Sequence, residues 1–301
     1  MTGIMLVGAD GQLGWEVARR AFVASMSCHA CDVTELDITQ RDAVLRAVER
    51  LAPAVVVNAA AYTAVDKAES DPEAAFAVNR DGARHLAEAC AAANVPLIHI
   101  STDYVFDGDK QTSYLESDPA VPLGVYGQSK LAGEEAVRQA CPRHVILRTS
   151  WLYGVHGANF VKTMLRLGRE REKLRVVDDQ HGSPTFAGDL ADAVLTLAGR
   201  VRSGDWPDGG FGTFHCTGQG ATTWCGFARE IFAAAAPTLG RQPEIEAIST
   251  DDYPTAARRP LCSVLDCGLI ARVHGIALRP WRPALAEAVH AVLAQSSAEV
   301  S

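Results

Sequence analysis

Residues 8–16 read GADGQLGWE and directly follow the apolar run IMLV at residues 4–7. Gly8, Gly11 and Gly14 are spaced as G-x-x-G-x-x-G, and glycines at such spacing permit a tight turn and a close approach of the backbone to a pyrophosphate. A helix that begins inside the turn directs free N–H groups and the positive end of its dipole at the same anion. The sequence therefore predicts a strand, a phosphate-binding turn and a helix that begins at about Gln12.

Strand-like and helix-like segments alternate outward from this turn through the N-terminal half. The later predicted strands are 28–32, 54–58, 96–101 and 144–150, and the predicted helices are 40–51, 72–93 and one from about Tyr126. Continuous apolar strands that alternate with helices are typical of a parallel sheet covered on both faces. The predicted fold class is α/β, a Rossmann-type doubly wound parallel sheet.

The alternation loosens beyond Ser150, where turn-rich stretches separate short strands from two predicted helices near 222–235 and 283–295. We expect residues 1–150 to form a dinucleotide-binding domain. Residues 151–301 would form mainly a smaller C-terminal substrate-binding lobe, interleaved with the last strands of the sheet. The tail QSSAEVS, residues 295–301, is expected to fray.

Composition limits the class of protein. The chain has 301 residues, of which 48% are hydrophobic and 21% charged, which is ordinary globular usage. No apolar run approaches the roughly 20 residues that cross a bilayer, and the chain starts without a charged leader, so a cytoplasmic protein is expected. The net charge of −8 argues against nucleic acid or an anionic membrane as the main partner.

The eight cysteines are expected to be free, buried thiols, because the chain is too long to need a disulfide scaffold. Cys28 and Cys31 form a C-x-x-C inside a predicted strand. A redox or zinc site there is the lesser alternative, since no second ligand pair follows at the spacing of a zinc finger.

A catalytic set is predicted at the C-terminal ends of the strands, where open parallel sheets bind ligands. Tyr126 and Lys130 in YGQSK lie on one face of a helix that begins there. A phenol has an ordinary pKa of about 10. A nearby cation favours its phenolate form and so assists proton exchange with a carbonyl oxygen. Thr102, after the strand PLIHIS, can donate to the same oxygen.

Two further polar residues have two interpretations each. Asp32 ends the second predicted strand and either accepts hydrogen bonds from an adenosine ribose or is a solvated carboxylate. Asn79 lies on the apolar face of the helix 72–93 and, as a buried amide, needs partners. It either ties two strands together or points into the active site.

Together these segments resemble the extended short-chain dehydrogenases, and among them most closely the dTDP-4-dehydrorhamnose reductases. The resemblance covers nearly the whole chain and is carried by GADGQLGWE (8–16), LDIT (36–39), VNAAAYTAVDKAE (57–69), STDYVFDG (101–108), YGQSKLAGE (126–134), RTSWLYG (148–154), NFVKTMLRL (159–167), DQHGSPTFAGDLAD (179–192) and YPTAARRP (253–260). It implies reduction of dTDP-4-dehydro-β-L-rhamnose to dTDP-L-rhamnose, the last step of dTDP-L-rhamnose biosynthesis, with a hydride from NADPH or NADH.

The same resemblance implies a role for each matching residue. Tyr126 would be the proton donor, Lys130 would hold the nicotinamide ribose, Thr102 would tune the hydrogen bond to the carbonyl, and Asn79 would line the proton-relay side. Besides Tyr126 and Lys130, the cofactor would contact Gly8, Asp10, Gly11, Gln12, Leu13, Asp32, Asp37, Ile38, Ala61, Tyr62, Thr63 and Ile100. The sugar nucleotide would contact Thr102, Asp103, Tyr104 and Trp151.

The resemblance also implies a monomer or a homodimer. Some members dimerise around a Mg²⁺ ion, but the only nearby carboxylates here are Glu16, Asp189 and Asp192, whose pattern matches poorly. Mg²⁺ stays open as a further cofactor, and no residue is assigned to it.

Two alternatives to the reductase stay open. One is another nucleotide-sugar enzyme of this fold: a 4-ketoreductase of different stereochemistry, an epimerase or a 4,6-dehydratase. Dehydratases resemble one another in an Asp-Glu pair after this Ser/Thr, and the second position here is Tyr104. The other is a non-catalytic regulatory subunit resembling that of methionine adenosyltransferase, against which the intact set of Thr102, Tyr126 and Lys130 argues.

Overall fold

The computed structural model describes residues 3–240 and 242–298, and the last part of the tail that is predicted to fray, 299–301, lies outside them. The strands are β1 (Ile4–Val7), β2 (Cys28–Cys31), β3 (Val55–Asn58), β4 (Leu97–Thr102), β5 (His144–Thr149), β6 (Leu152–Tyr153), β7 (Lys173–Val177), β8 (His181–Gly182), β9 (Thr185–Phe186), β10 (Gly212–His215), β11 (Thr222–Thr223) and β12 (Glu244–Ile248).

The helices surround the strands. They are α1 (Gln12–Val23), α2 (Arg41–Leu51), α3 (Val65–Ala68), α4 (Pro72–Phe76), α5 (Ala83–Ala92), α6 (Val125–Ala140), α7 (Phe160–Glu170), α8 (Ala187–Ser203), α9 (Trp224–Leu239), α10 (Gly268–His274) and α11 (Trp281–Ala298). Within the described ranges, no helix combines the length and the apolar character that a membrane span requires.

The central sheet has six parallel strands in the order β10-β5-β4-β3-β1-β2. The chain moves outward in both directions from β1 and β3, so the topological switch point, where such sheets bind ligands, lies between these two strands. The predicted α/β class and the doubly wound parallel sheet are confirmed.

Both faces of the sheet are covered, as its continuous apolar strands require. On one face α1 and α8 pack against the strands, with Val17 and Leu190 fully buried. On the other face α2 and α5 do so, with Val44 and Leu86 fully buried. Each such side chain contributes roughly 1.5–3 kcal/mol relative to exposure.

The C-terminal half forms a second core from α7, α9 and α11, in which Phe227 and Leu285 are buried. It also returns to the first core, because β10 pairs with β5 and α8 packs on α1. The division of the chain at residue 150 stays a prediction, since both halves share the sheet.

The predicted helix 72–93 differs from the structure in its middle. Residues Ala77–Gly82 form a π-helical turn between α4 and α5, a rare feature that commonly marks functional sites. The turn contains Asn79, whose carbonyl oxygen would lie 2.0 Å from a Cβ atom at Gly133 of α6. Glycine at 133 therefore allows this turn to pack closely against α6.

Candidate functional site

The turn between β1 and α1 has the close packing that its glycines predict. Gly8 has φ of 83°, and a Cβ atom there would lie 2.5 Å from the backbone nitrogen of Ala60. A Cβ atom at Gly14 would lie 2.0 Å from the carbonyl oxygen of Gly8. At Gly11, which directly precedes α1, the nearest atom to a Cβ would be 3.4 Å away. The N-terminus of α1 is therefore open to a phosphate group.

A cavity of about 810 Å³ extends from this turn along the C-terminal ends of the strands. Its size is within the roughly 300–1,000 Å³ of small-molecule sites. Apart from Asn79, all the residues that the sequence predicts to contact cofactor or sugar nucleotide line it: Gly8, Asp10, Gly11, Gln12, Leu13, Asp32, Asp37, Ile38, Ala61, Tyr62, Thr63, Ile100, Thr102, Asp103, Tyr104, Tyr126, Lys130 and Trp151. The turn and the cavity fit a nicotinamide dinucleotide.

Lys130 lies buried in the cavity wall, with its ammonium directed toward strand β4. Its Nζ donates to the carbonyl oxygen of Ile100 at 2.6 Å. Burial lowers the pKa of Lys130 to about 8, although the neighbouring carboxylate of Glu134 opposes this shift. The other two Nζ protons remain for a ligand.

Tyr126 shows a shift opposite to the one that its spacing from Lys130 predicts. Burial raises the pKa of Tyr126 to about 12; a hydrogen bond with Thr102 lowers it and the Asp103 carboxylate raises it. Desolvation therefore outweighs the stabilisation of the phenolate that was expected from Lys130. A phenol with this pKa stays protonated at neutral pH, which is the form that a proton donor needs.

Asn79 ties two segments together. Its Oδ1 accepts from the backbone nitrogen of Tyr62 at 2.9 Å, and its Nδ2 donates to the carbonyl oxygen of Tyr62 at 3.0 Å and to Oγ of Ser129 at 2.9 Å. These bonds join the loop after β3 to α6 and occupy both amide protons. Asn79 therefore ties a loop to a helix rather than two strands, and it is not among the residues that line the cavity.

Asp103 contributes a buried carboxylate to the cavity wall. Its Oδ1 accepts from the Thr102 hydroxyl at 3.0 Å. Oδ2 has no partner within hydrogen-bond distance among the described residues, although the Ser263 side chain lies close enough to lower the pKa of the carboxyl against the effect of burial. Burial raises the pKa of Asp103 to about 6. An unpaired acceptor atom of this kind is suited to a ligand that donates hydrogen bonds.

The aromatic end of the cavity contains Trp224, which was not predicted from the sequence. Trp151 lies in the cavity wall, but its ring stacks on Trp224 at 3.6 Å between centroids and 9° between planes. Trp151 also has φ of 46°, which is unusual for a bulky residue. Trp224 begins α9, 73 positions along the chain, so no local pattern indicates this pairing.

The adenosine side of the cavity is acidic. Asp10 and Asp32 lie close together, and the hydrogen bond and charge of Asp32 raise the pKa of Asp10. The Asp37 carboxylate is engaged locally, because Oδ1 accepts from the backbone nitrogen and hydroxyl of Thr39. Of the predicted acids at this end, Asp10 and Asp32 are the two best placed to meet a ribose.

Neither alternative metal or thiol site gains support from the geometry. Burial raises the pKa of Cys28 to about 11 and also raises that of Cys31, whereas reactive thiols have lowered values. Glu16 and Asp192 both bind Arg20, at 3.2 and 2.6 Å.

Asp189, the third predicted carboxylate, binds Arg279 at 2.8 Å. In the part of the chain that the structure describes, no three potential ligands converge.

Comparison with known proteins gives consistent matches. The RmlD substrate binding domain family matches residues 1–294. A dTDP-4-dehydrorhamnose reductase of Sinorhizobium fredii is 49% identical over 257 residues, which are 85% of this chain and 86% of that protein.

Two solved structures are similar over nearly their whole length. A dTDP-4-dehydrorhamnose reductase from Clostridium acetobutylicum has a TM-score of 0.89 at 38% identity and covers 95% of this chain and 98% of its own. One from Bacillus anthracis in complex with NADP has a TM-score of 0.88 at 36% identity and covers 96% and 99%.

Proposed function

Because the chain belongs to the RmlD substrate binding domain family, and its relatives are dTDP-4-dehydrorhamnose reductases, we propose that it reduces dTDP-4-dehydro-β-L-rhamnose to dTDP-L-rhamnose. The reaction is the last step of dTDP-L-rhamnose biosynthesis. The cofactor is NADPH or NADH, which supplies the hydride that is added to C4. One observation carries the site assignment: Thr102, Tyr126 and Lys130 line the same cavity as the phosphate turn.

Tyr126 donates the proton that the reduced C4 oxygen requires. Its pKa of about 12 keeps the phenol protonated until negative charge develops on the oxygen, when transfer becomes favourable. A positioned general acid of this kind contributes roughly 10²–10⁴-fold to the rate.

Thr102 assists Tyr126 through the single proton of its hydroxyl. That proton is directed at Asp103 Oδ1 in the structure, and the Thr102 hydroxyl also lies close enough to the phenol of Tyr126 to lower its pKa. Rotation of the hydroxyl directs the proton to the phenolate once Tyr126 has given up its own. Thr102 thus stabilises the charge on the donor without leaving its place.

Lys130 binds the nicotinamide ribose through the two protons that Ile100 does not take. Its pKa is lowered to about 8, so the buried ammonium is charged at neutral pH and loses its proton at a lower pH than an exposed lysine does. Binding a hydroxyl-rich ligand beside it restores the polar contacts that burial removes. Asn79 contributes indirectly, because it holds the backbone of Tyr62 in the wall of the cavity that takes the cofactor.

The sugar nucleotide lies between Asp103 and the indoles. Oδ2 of Asp103 accepts from a sugar hydroxyl, while Trp151 and Trp224 exclude water from the ring and limit its orientation. Tyr104 contacts the ring of Tyr126 edge-on, with centroids 5.6 Å apart, and completes this wall.

The competing activities lack necessary groups. Elimination of water needs a second carboxylic acid beside Asp103, and Tyr104 occupies that position with a pKa that burial raises far above neutral. A non-catalytic subunit would have no need for a protonated phenol, a paired hydroxyl and a buried lysine around one cavity.

The test is NADPH and NADH oxidation with dTDP-4-dehydro-β-L-rhamnose as substrate, followed by NMR of the sugar product. Product with the L-rhamno configuration is expected, and oxidation should stop in Tyr126→Phe. A different epimer would identify a ketoreductase of other stereochemistry. Cofactor binding without any turnover in the wild-type protein would favour the regulatory subunit.

We also propose the cytoplasm as the compartment, where free thiols such as those of the eight cysteines stay reduced. The proposed assembly is a monomer or a homodimer. Light scattering with and without Mg²⁺ tests it; a mass that responds to Mg²⁺ would show that the arginine pairs of Glu16 and Asp189 can be exchanged for a metal.

A further inference from the structure

We propose that Asp66 of α3 and Glu69, which follows it, are positioning residues for the two tyrosines of the active site. Glu69 fixes the first turn of α6, which carries Tyr126, and Asp66 fixes Arg259, whose guanidinium lies beside Tyr104. The inference rests on the proposed function, because it takes Tyr126 as the proton donor. It gives a role to VDKAE and to AARRP, two segments to which the chemistry above assigns none.

Glu69 supplies the cap that α6 lacks. The residue before this helix is Gly124, which has no side chain to bind the free amides. Oε1 of Glu69 accepts instead from the backbone nitrogen of Val125 at 2.8 Å. A Cβ atom at Gly124 would lie 2.6 Å from the same oxygen. Since Tyr126 follows Val125 directly, Glu69 determines where the first turn holds the phenol.

Asp66 binds the C-terminal segment from the same helical turn. Its Oδ1 accepts from the backbone nitrogen of Ala257 at 3.1 Å, and Arg259 donates to its two oxygens at 3.2 and 2.7 Å. The Arg259 guanidinium also lies close enough to the Tyr104 hydroxyl to lower the pKa of that phenol against the effect of burial. Asp66 thereby sets the position of the guanidinium group beside Tyr104.

The first arm consists of Glu69 and Val125, and the second arm consists of Asp66 and Arg259. The two arms meet at Tyr104 and Tyr126. The rings of Tyr104 and Tyr126 pack edge-to-face, and a Cβ atom at Gly127 would lie 2.2 Å from the carbonyl oxygen of Tyr104. The backbone of Tyr104 therefore lies directly against the first turn of α6. A shift of either arm changes the distance between the donor and the wall that orients the sugar.

Neither carboxylate is among the residues that line the cavity, although Val65 of the same turn is. Asp66 and Glu69 therefore act through Arg259 and Val125 rather than on the ligand. Asp66 and Arg259 keep 47% and 21% of their side-chain surface exposed, and ion pairs with such exposure add little to stability. Loss of this pair should appear in the kinetics more than in the melting temperature.

The first experiment compares Glu69→Ala with Glu69→Gln, because the glutamine carbonyl oxygen can still accept from Val125. We expect Glu69→Ala to lower kcat about tenfold or more, since a misplaced donor is ineffective. NADPH affinity should stay within about twofold, because the cofactor contacts are untouched. Glu69→Gln should keep most of kcat. Wild-type kcat in folded Glu69→Ala, or equal losses in both variants, would overturn the proposal.

The second experiment addresses the other arm with Asp66→Asn and Arg259→Lys, which lose the planar two-point pairing. KM for the nucleotide sugar should rise about fivefold or more while NADPH affinity is unchanged. The matched control is Lys67→Ala on the same turn, whose side chain is 69% exposed and whose Nζ lies 4.0 Å from Oδ2 of Asp71. Unchanged KM in both variants, or the same change in the control, would contradict the assignment.

Hydrogen exchange of the peptide 124–131 separates this inference from the proposed function. Faster exchange in Glu69→Ala than in Glu69→Gln is expected whether or not the wild-type protein turns over the rhamnose precursor. Unchanged exchange would overturn the role of Glu69 even if the reductase activity is established. Absence of turnover in the wild type would instead count against the proposed function alone.

Discussion

The ammonium of Lys130 donates to the backbone carbonyl of Ile100 over 2.6 Å, so the lysine is anchored to the strand that leads into Thr102. Strand β4 thereby holds both the Thr102 hydroxyl, to which we assign a role in catalysis, and the cation. The lysine is placed to bind the ribose as proposed, and its charge is not among the causes that set the pKa of Tyr126. Its protonation therefore affects cofactor binding first.

Replacement of the phenol tests the proton donor. Tyr126→Phe should lower kcat by roughly 10²–10⁴-fold, because the alkoxide at C4 then lacks its acid. The dissociation constant of NADPH, measured by fluorescence titration, should change little. Retention of more than about a tenth of wild-type kcat would remove Tyr126 from this role.

The pH dependence of the reaction tests Lys130. Its pKa is lowered to about 8, so the ammonium is charged below that pH and is lost as the pH rises through it. We expect kcat/KM to fall above about pH 8 in the wild type. In Lys130→Met this alkaline limb should be absent and cofactor affinity low at every pH. An unchanged profile and affinity would exclude the lysine from the mechanism.

The buried carboxylate of Asp103 is expected to lower the stability of the free protein at neutral pH and to assist binding of the substrate. Its pKa is raised from 3.8 to about 6, so the folded state binds the proton more tightly than the unfolded chain. Protonated Asp103 stabilises the folded state fully at acidic pH, and this contribution is lost as the pH rises through about 6. At neutral pH the charged group costs on the order of 3 kcal/mol.

The corresponding variant is Asp103→Asn. We predict a higher melting temperature than wild type at neutral pH, little difference at strongly acidic pH, and a raised KM for the sugar nucleotide. Equal melting temperatures at neutral pH would mean that the carboxylate already has hydrogen-bond donors in the free protein. The prediction that it gains its donor from a ligand would then be wrong.

The acidic end of the cavity predicts the cofactor preference. Asp10 and Asp32 lie together where the adenosine ribose is expected, and a carboxylate there binds ribose hydroxyls but repels a 2′-phosphate. Asp32→Ala should therefore weaken NADH more than NADPH, as measured by titration of each. Equal losses, or none, would leave Asp32 as a solvated strand end.

The sequence predicted much of the fold because apolar periodicity and glycine spacing are local. Gln12 does begin α1, and the strands that the alternation indicates pair as one parallel sheet. The cavity residues named from motifs also lie together, because each motif follows a strand and parallel strands end at one edge.

What the sequence could not give depends on contacts between distant segments or on solvation. The pairing of Trp151 with Trp224, and of Asp66 with Arg259, requires the packing of the two halves of the chain. The effect of Lys130 on Tyr126 was misjudged because i, i+4 spacing gives proximity but says nothing about burial. The π-helical turn around Asn79 likewise has no local signal.

The last prediction concerns the indole pair at the sugar end of the cavity. Trp151 is held on one side by stacking on Trp224, and a Cβ atom at Gly182 would lie 2.3 Å from its ring. Its positive φ of 46° disfavours a bulky side chain, and a strained residue persists only where its surroundings determine it. The indole is therefore positioned by its neighbours rather than by its own backbone preference.

Trp151→Ala should raise KM for the sugar nucleotide and lower kcat/KM by about tenfold or more, because the ring that orients the sugar is lost. Gly182→Ala should cause a similar change by displacing the ring while leaving it present. NADPH affinity should be unaffected in both, since the phosphate turn is elsewhere in the cavity. Normal kinetics accompanied by a large fall in melting temperature in both variants would instead show that Trp151 serves only to pack α9 against the sheet.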